Sequence, residues 1–214
     1  VKKEVIMAKD VEFVVKQIAD TVLKNEAYFS ELDAVCGDGD FGYSLARGFE
    51  KVLAEWDNMD HSTPGNFLKK VAQVIMSAVG GVSGTIWGTM FLRVGVKLGN
   101  KTEITREDAI ELLHVAIDAI KQRGSCDLGD KTYLDALVPT VDALEKAFAE
   151  GKDTAEALEI AAKVAAESAE ATRSLVAKKG RAAYTGERSI GTLDAGSVAV
   201  AKIFEDLAKA WKEN

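Results

Sequence analysis

Apolar residues recur at three- and four-residue spacing along nearly the whole chain, and that period limits what it can fold into more than any other feature. Val11, Val14, Val15, Ile18 and Val22 share one helical face, and Leu45, Phe49, Val52, Leu53 and Trp56 repeat the pattern. Helix boundaries are equally legible. Thr63-Pro64 reads as an N-cap and first-turn proline for a helix to about Val79, and Ser83 as the cap of another that stops at Gly99. Thr105 opens a near capping box, Thr-Arg-Glu-Asp, whose helix closes on Lys121-Gln122-Arg123-Gly124. Further helices are expected over 133–149, kinked at Pro139, from Asp153-Thr154 through Lys178, and over 196–212. Eight helices and no alternating strand-like run predict an all-α fold whose neighbours pack antiparallel. No Pro/Ser-rich linker divides residues 1–214, so a single domain is expected.

Charge and cysteine content narrow the function. Twenty-seven Lys+Arg against 34 Asp+Glu give a net charge of −7, a field that repels nucleic-acid backbones, so no nucleic-acid partner is expected. Cys36 and Cys126 have no metal-binding spacing and read as reduced thiols. Val1 to Asp10 mixes both charges and shows no leader pattern, which predicts a cytoplasmic protein. Val71 to Leu92 carries no charge, but Gly80-Gly81 at its centre would free backbone groups that lipid cannot satisfy. Two helices around a glycine turn are expected there instead, and no membrane partner.

The glycines gather at helix junctions, in segments 37–42, 80–88, 124–129 and 180–196. In an up-and-down arrangement alternate junctions share one end, so several of these can converge. The first segment is also acidic: Glu31, Asp33, Asp38 and Asp40 crowd into ten residues, with no Lys or Arg between Lys24 and Arg47. A hard divalent cation held by Asp33, Asp38 and Asp40 would answer that repulsion; a solvated turn capping the next helix is the plainer alternative. An EF-hand is excluded because no Glu falls at position 12 from any of the three aspartates. Residues 37–42 also fit G-x-G-x-x-G, yet no strand precedes them and no βαβ series follows, which argues against a dinucleotide fold.

Gly80-Gly81-Val82-Ser83-Gly84-Thr85 has the makings of an anion cradle at a helix start, though such a turn can equally be structural. Leu128 to Thr132 is a polar, glycine-broken loop. The segment 178–188 carries four cations, Lys178, Lys179, Arg181 and Arg188, that either face phosphate oxygens or complement the end of the long helix before them. His61 and His114 lie far from these loops, and no nucleophile-base pair can be assembled around either cysteine. Trp56, Trp87 and Trp211 read as packing residues.

Four blocks in this order, LDxxxGDGDxG, GGVSGT, GDKTYLDAL and KGRAAYTGERSIGTLDAG, resemble the L-subunit (DAK2-domain) family of dihydroxyacetone kinases across essentially the whole chain. The resemblance implies an eight-helix antiparallel up-and-down barrel holding ADP or ATP at one end, with two Mg²⁺ bridging carboxylates and phosphates. It puts Asp33, Asp38 and Asp40 on the metal ligands. Phe41, Gly42, Tyr43 and Ser44 fall on the phosphate-binding start of the next helix, Val82 and Ser83 on the phosphate loop, and Gly124, Tyr133, Arg181, Asp194, Ala195 and Gly196 on the remaining nucleotide contacts. Arg181 is the expected catalytic cation. The same resemblance implies a separate K-type subunit that holds the sugar and, in the phosphotransferase-dependent branch, an M-type subunit that donates phosphate from a phosphohistidine. The chain's length points to that branch. Phe41, where the branch usually has His, pulls toward the alternative, an ATP-dependent triose or tetrulose kinase, and Ala195 stands where Pro is usual; a nucleotide-loaded regulator that binds a transcription factor is a third reading.

Overall fold

A computed structural model describes residues 6–213. Nine α-helices occur among them: α1 (Ala8–Lys24), α2 (Glu26–Ala34), α3 (Phe41–Glu55), α4 (Pro64–Ala78), α5 (Gly81–Leu98), α6 (Arg106–Gly124), α7 (Tyr133–Ala149), α8 (Thr154–Ala171) and α9 (Ala195–Glu213). Eight of them are the staves of a closed ring. From α3 to α9 each helix packs on the next, and α1 closes the circle by packing on both α3 and α9. The short α2 is the exception, lying against α3 and α9.

The caps read from sequence are present where side chains can make them. Thr63 Oγ1 accepts from the Asn66 amide at 3.1 Å, Thr105 and Asp108 form a reciprocal capping box, and Asp153 does the same with Glu156. The inward faces supply one contiguous core in which Val15, Val22, Phe49, Phe67, Val71, Leu134 and Val141 are almost fully buried. In α8 the inner face is Ala157, Ala161 and Ala165, each with no exposed surface. Such small side chains let α8 approach α7 and α9 closely. Along the barrel axis a cavity of about 300 Å³ remains, walled by apolar side chains that include Trp87, Phe91, Leu113, Phe148 and Phe204.

Three expectations need correction and one is confirmed. Glu26–Ala34, which is not among the eight expected helices, is helical, because Phe29 is completely buried and anchors a segment with little amphipathicity of its own. The Ala-rich α8 ends at Ala171, not Lys178: Thr172 turns its hydroxyl to the Ala169 carbonyl at 2.6 Å and accepts the Asp194 amide at 3.1 Å. Ile6–Met7 and Glu103–Ile104 form a two-residue antiparallel ladder at the far end of the barrel, a length too short to leave a sequence pattern. The uncharged stretch over 71–92 is split between α4 and α5, and among the described residues no helix is long and apolar enough to cross a membrane. Of the stretch read for a leader, residues 1–5 lie outside the described residues, as does residue 214.

Candidate nucleotide and metal site

Four connections meet at one end of the barrel: 35–40, 79–80, 125–132 and 172–194. Together they wall a cleft of about 600 Å³. This is the convergence of alternate junctions expected of an up-and-down ring.

The acidic corner is built by local chain geometry. Asp33 sits in the last turn of α2, and the chain reverses through Gly37 and Gly39 to bring Asp38 and Asp40 back beside it, so that one carboxylate oxygen from each lies within 4.8 Å of the others. A side chain at Gly37 would collide with the Asp33 carboxylate, and Gly39 has φ +75°. Glycine is therefore required at both. Asp33 Oδ2 accepts the Gly39 amide at 2.8 Å, which fixes one ligand's direction. Asp40 occupies the N-cap position of α3 without a side-chain capping bond, contrary to the capping alternative, and its carboxylate is directed to the cluster. Burial first, then the charges of Asp38 and Asp33, hold the Asp40 carboxyl above the usual carboxylate range, against the opposing pull of Arg181. Oxygen donors of this kind, crowded and short of positive charge, fit a hard divalent cation such as Mg²⁺.

Across the cleft, Gly80 caps α5 without a side-chain bond and Gly81 takes φ +71°. The helix thus begins two residues earlier than Ser83. Ser83 is then not the cap but a first-turn residue that lines the cleft, and the free amides of α5 open onto it. A Cβ at Gly84 would collide with the Val79 carbonyl, so the α4–α5 corner depends on it.

The third wall is the long connection between α8 and α9. Arg181, mostly exposed, reaches back so that its Nε lies 3.0 Å from Asp38 Oδ2. Lys178 and Lys179 instead pair with Asp130 at 3.4 and 4.0 Å, and Arg188 Nε donates to the Thr185 carbonyl. Because α8 stops at Ala171, none of these cations lies in its last turn. Lys179 and Arg181 line the cleft; Lys178 and Arg188 do not.

The remaining expected residues divide. Asp33, Asp38, Asp40, Phe41, Ser44, Val82, Ser83, Gly124, Tyr133, Arg181, Asp194, Ala195 and Gly196 all line the cleft. Gly42 and Tyr43 do not. Gly42 lets α3 touch the backbone of α2, Tyr43 donates its amide to Ser30 Oγ at 3.1 Å, and its ring carries Arg47 at 5.0 Å. Phe41 is buried between the rings of Phe29 and Tyr133, at 6.1 and 5.8 Å, and so supplies wall, not a polar contact. Tyr133 accepts the Trp87 indole N–H at 3.2 Å, and burial raises its hydroxyl pKa. Its ring lies against the backbone of Gly196, where a Cβ would be too close. Burial pushes the Asp194 carboxyl up to about 6 while the Ser197 amide bonds to it at 2.6 Å.

Sequence reading missed the apolar side of the cleft, Ile86 and Ile120, because those residues carry the ordinary helix period, and Cys126, which follows the end of α6 in a loop. It also missed Lys131. The available signal was a cation immediately before the N-cap Thr132, where a helix dipole disfavours positive charge.

Comparisons with known proteins show the family and the fold. The DAK2 domain profile matches residues 35–209. The ADP-binding subunit of the PEP-dependent dihydroxyacetone kinase of Escherichia coli K12 is 36% identical over 186 residues, covering 87% of this chain and 89% of that one. An L-erythrulose 1-kinase of Mycolicibacterium smegmatis is 34% identical over 94% of this chain, which spans only 35% of that protein. Among solved structures, the dihydroxyacetone kinase of C. freundii in complex with AMP-PNP and Mg²⁺ superposes with a TM-score of 0.71 at 25% identity, covering 94% of this chain and 33% of that one.

Proposed function

The chain belongs to the DAK2 domain family, and from that premise we propose that it is the nucleotide-binding subunit of a dihydroxyacetone kinase, a phosphotransferase active only with a partner subunit. What carries this reading is the meeting in one cleft of three clustered carboxylates, a glycine-led helix start and an arginine from a third loop. The related E. coli protein is an ADP-binding subunit, and the related C. freundii kinase was solved with AMP-PNP and Mg²⁺.

In this reading Asp33, Asp38 and Asp40 hold Mg²⁺, two ions in all, which when bound offset phosphate charge. Ser83 and the first amides of α5 take phosphate oxygens, with Val82 and Ser44 beside them. Tyr133, Phe41, Ile86 and Ile120 give the base an apolar slot, bounded by the backbone of Gly124, Ala195 and Gly196. Arg181 is the catalytic cation: its guanidinium, which rests on Asp38, would turn to the transferred group when nucleotide is bound. No nucleophile on this chain is needed. A K-type subunit presents the ketose hydroxyl, and an M-type phosphohistidine protein recharges the bound ADP. Residues 1–214 act as one domain, in the cytoplasm.

Calorimetry with ADP, with and without Mg²⁺, tests the site. Asp38→Asn is expected to weaken Mg²⁺-dependent binding roughly 10- to 100-fold; unchanged affinity overturns the assignment. A second reading, an ATP-dependent tetrulose kinase, is favoured by Phe41 and by the likeness to L-erythrulose 1-kinase. Multiple turnovers with ATP alone, given a K-type partner, select it. A requirement for a phosphohistidine donor selects the first. Phe41→His probes the same question: a marked rise in ADP retention identifies Phe41 as a residue that favours nucleotide exchange.

A further inference from the structure

Lys131 is 5% exposed, and its backbone takes φ +63°, a region that L residues seldom occupy. A buried lysine is rare unless its charge is met. Here three carbonyls meet it: Nζ donates to Leu175 O at 3.2 Å, Ser189 O at 2.6 Å and Thr192 O at 2.8 Å. All three N–H bonds of the ammonium are used, and every acceptor belongs to the α8–α9 connection.

The acceptors lie on both flanks of the segment that carries Arg181. Leu175 lies on the outgoing limb of the connection and Ser189 and Thr192 on the returning one, so a single charge draws the two together. Neighbouring bonds support the same base: the Ala177 amide donates to Ser189 Oγ at 2.8 Å, and the Lys178 amide to the Asp130 carbonyl at 3.1 Å. Beyond that base the tip, Arg181–Ser189, is a run of 3-10 turns. Gly180 and Gly186 have positive φ, Tyr184 is 90% exposed, and the tip's ion pair to the acidic corner is Arg181 with Asp38.

We propose that Lys131 is a positioning residue whose ammonium clamps both flanks of the 175–192 loop and thereby sets Arg181 against the acidic corner. The role rests on the nucleotide reading of the cleft, since positioning Arg181 matters only if phosphate binds there. Lys131 does not act on phosphate itself, because its three donors are already spent on the loop. Cutting the clamp should loosen the loop and make Arg181 ineffective.

The test compares Lys131→Met, which keeps the length of the stem without charge, and Lys131→Gln, which keeps two donors, each alone and with Arg181→Ala. MgADP affinity is measured by calorimetry and hydrogen exchange over 173–193 by mass spectrometry. Lys131→Met is expected to weaken MgADP roughly 10- to 100-fold, with Lys131→Gln between it and the parent. Arg181→Ala should cost much less in the Lys131→Met background than in the parent, because the two act in series. Exchange over 173–193 should rise roughly tenfold while the helices keep their protection. Losses that simply multiply, or unchanged exchange in the loop, overturn the proposal. Should Lys131→Met fail to fold, the same cycle with Lys131→Gln decides. If the parent protein binds no MgADP, the nucleotide reading falls, and the exchange data alone still show whether Lys131 clamps the loop.

Discussion

Ser83 and Arg181 approach the cleft from different loops, and their substitutions should differ in kind. Removing a single neutral donor by Ser83→Ala is expected to cost about 1–3 kcal/mol of MgADP binding if the partner phosphate is left unsatisfied. Arg181→Ala should cost at least as much, because the lost bonds are charge-assisted. Calorimetry checks both. At the opposite end of the barrel His61 has a separate role. Its Nδ1 is 2.9 Å from Glu12 Oε1 and its Nε2 2.8 Å from the Trp56 carbonyl, while its ring stacks on Phe67. Two acceptors need two N–H donors, so the imidazolium is the form that fits. The Glu12 bond foremost, then the Trp56 carbonyl, raise its pKa, with the charges of Glu12 and Asp57 adding to them. The stabilisation is therefore complete below about pH 6.5, the ordinary histidine value, and is lost as pH rises through the higher folded value. Thermal unfolding followed across that range should show the loss in the parent and not in His61→Gln.

At the scale of elements, the junction of α2 with α3 decides whether the acidic corner forms. A Cβ at Gly42 would collide with the Glu26 carbonyl oxygen and with Ser30, both backbone-anchored parts of α2. Gly42→Ala is expected to destabilise the protein by about 1–3 kcal/mol, as overpacking does. It should also weaken Mg²⁺-dependent ADP binding, because Asp33 rides on α2 and Asp40 on the start of α3. Denaturant unfolding and calorimetry on one preparation separate the two effects. A similar displacement at Gly84, on the α4–α5 corner, would move Ser83 and leave the acidic corner in place.

For the whole molecule, the ring places every glycine-rich junction of the cleft at one end and leaves the short 56–63, 99–105 and 150–153 connections at the other. The cleft holds carboxylates, amides and arginine suited to phosphate and metal, and no nucleophile-base pair for a sugar. Hence the isolated chain should phosphorylate no triose with either ATP or a phosphohistidine donor. Addition of a K-type partner with dihydroxyacetone should restore turnover. A coupled assay on purified components checks this, and sugar phosphate formed by the chain alone would contradict it.

The helical period, the caps at Thr63, Thr105 and Asp153 and the glycine stops are local effects, and the sequence alone determined them: each depends on residues within four positions of one another. The three aspartates of the acidic corner were legible for the same reason, since glycines 37 and 39 fold one short segment onto itself. Tertiary structure decided what depended on distant partners. Helix α2 exists because Phe29 is buried, and α8 stops early because Thr172 bonds to Asp194 across 22 residues. Tyr43 and Gly42 matched a binding motif by position, yet the packing of α2 turned them away from the cleft. Lys131 looked like one more polar loop residue. Its three acceptors lie 44 to 61 residues away, and only the packing of α7, α8 and α9 on one another brings them around a single charge.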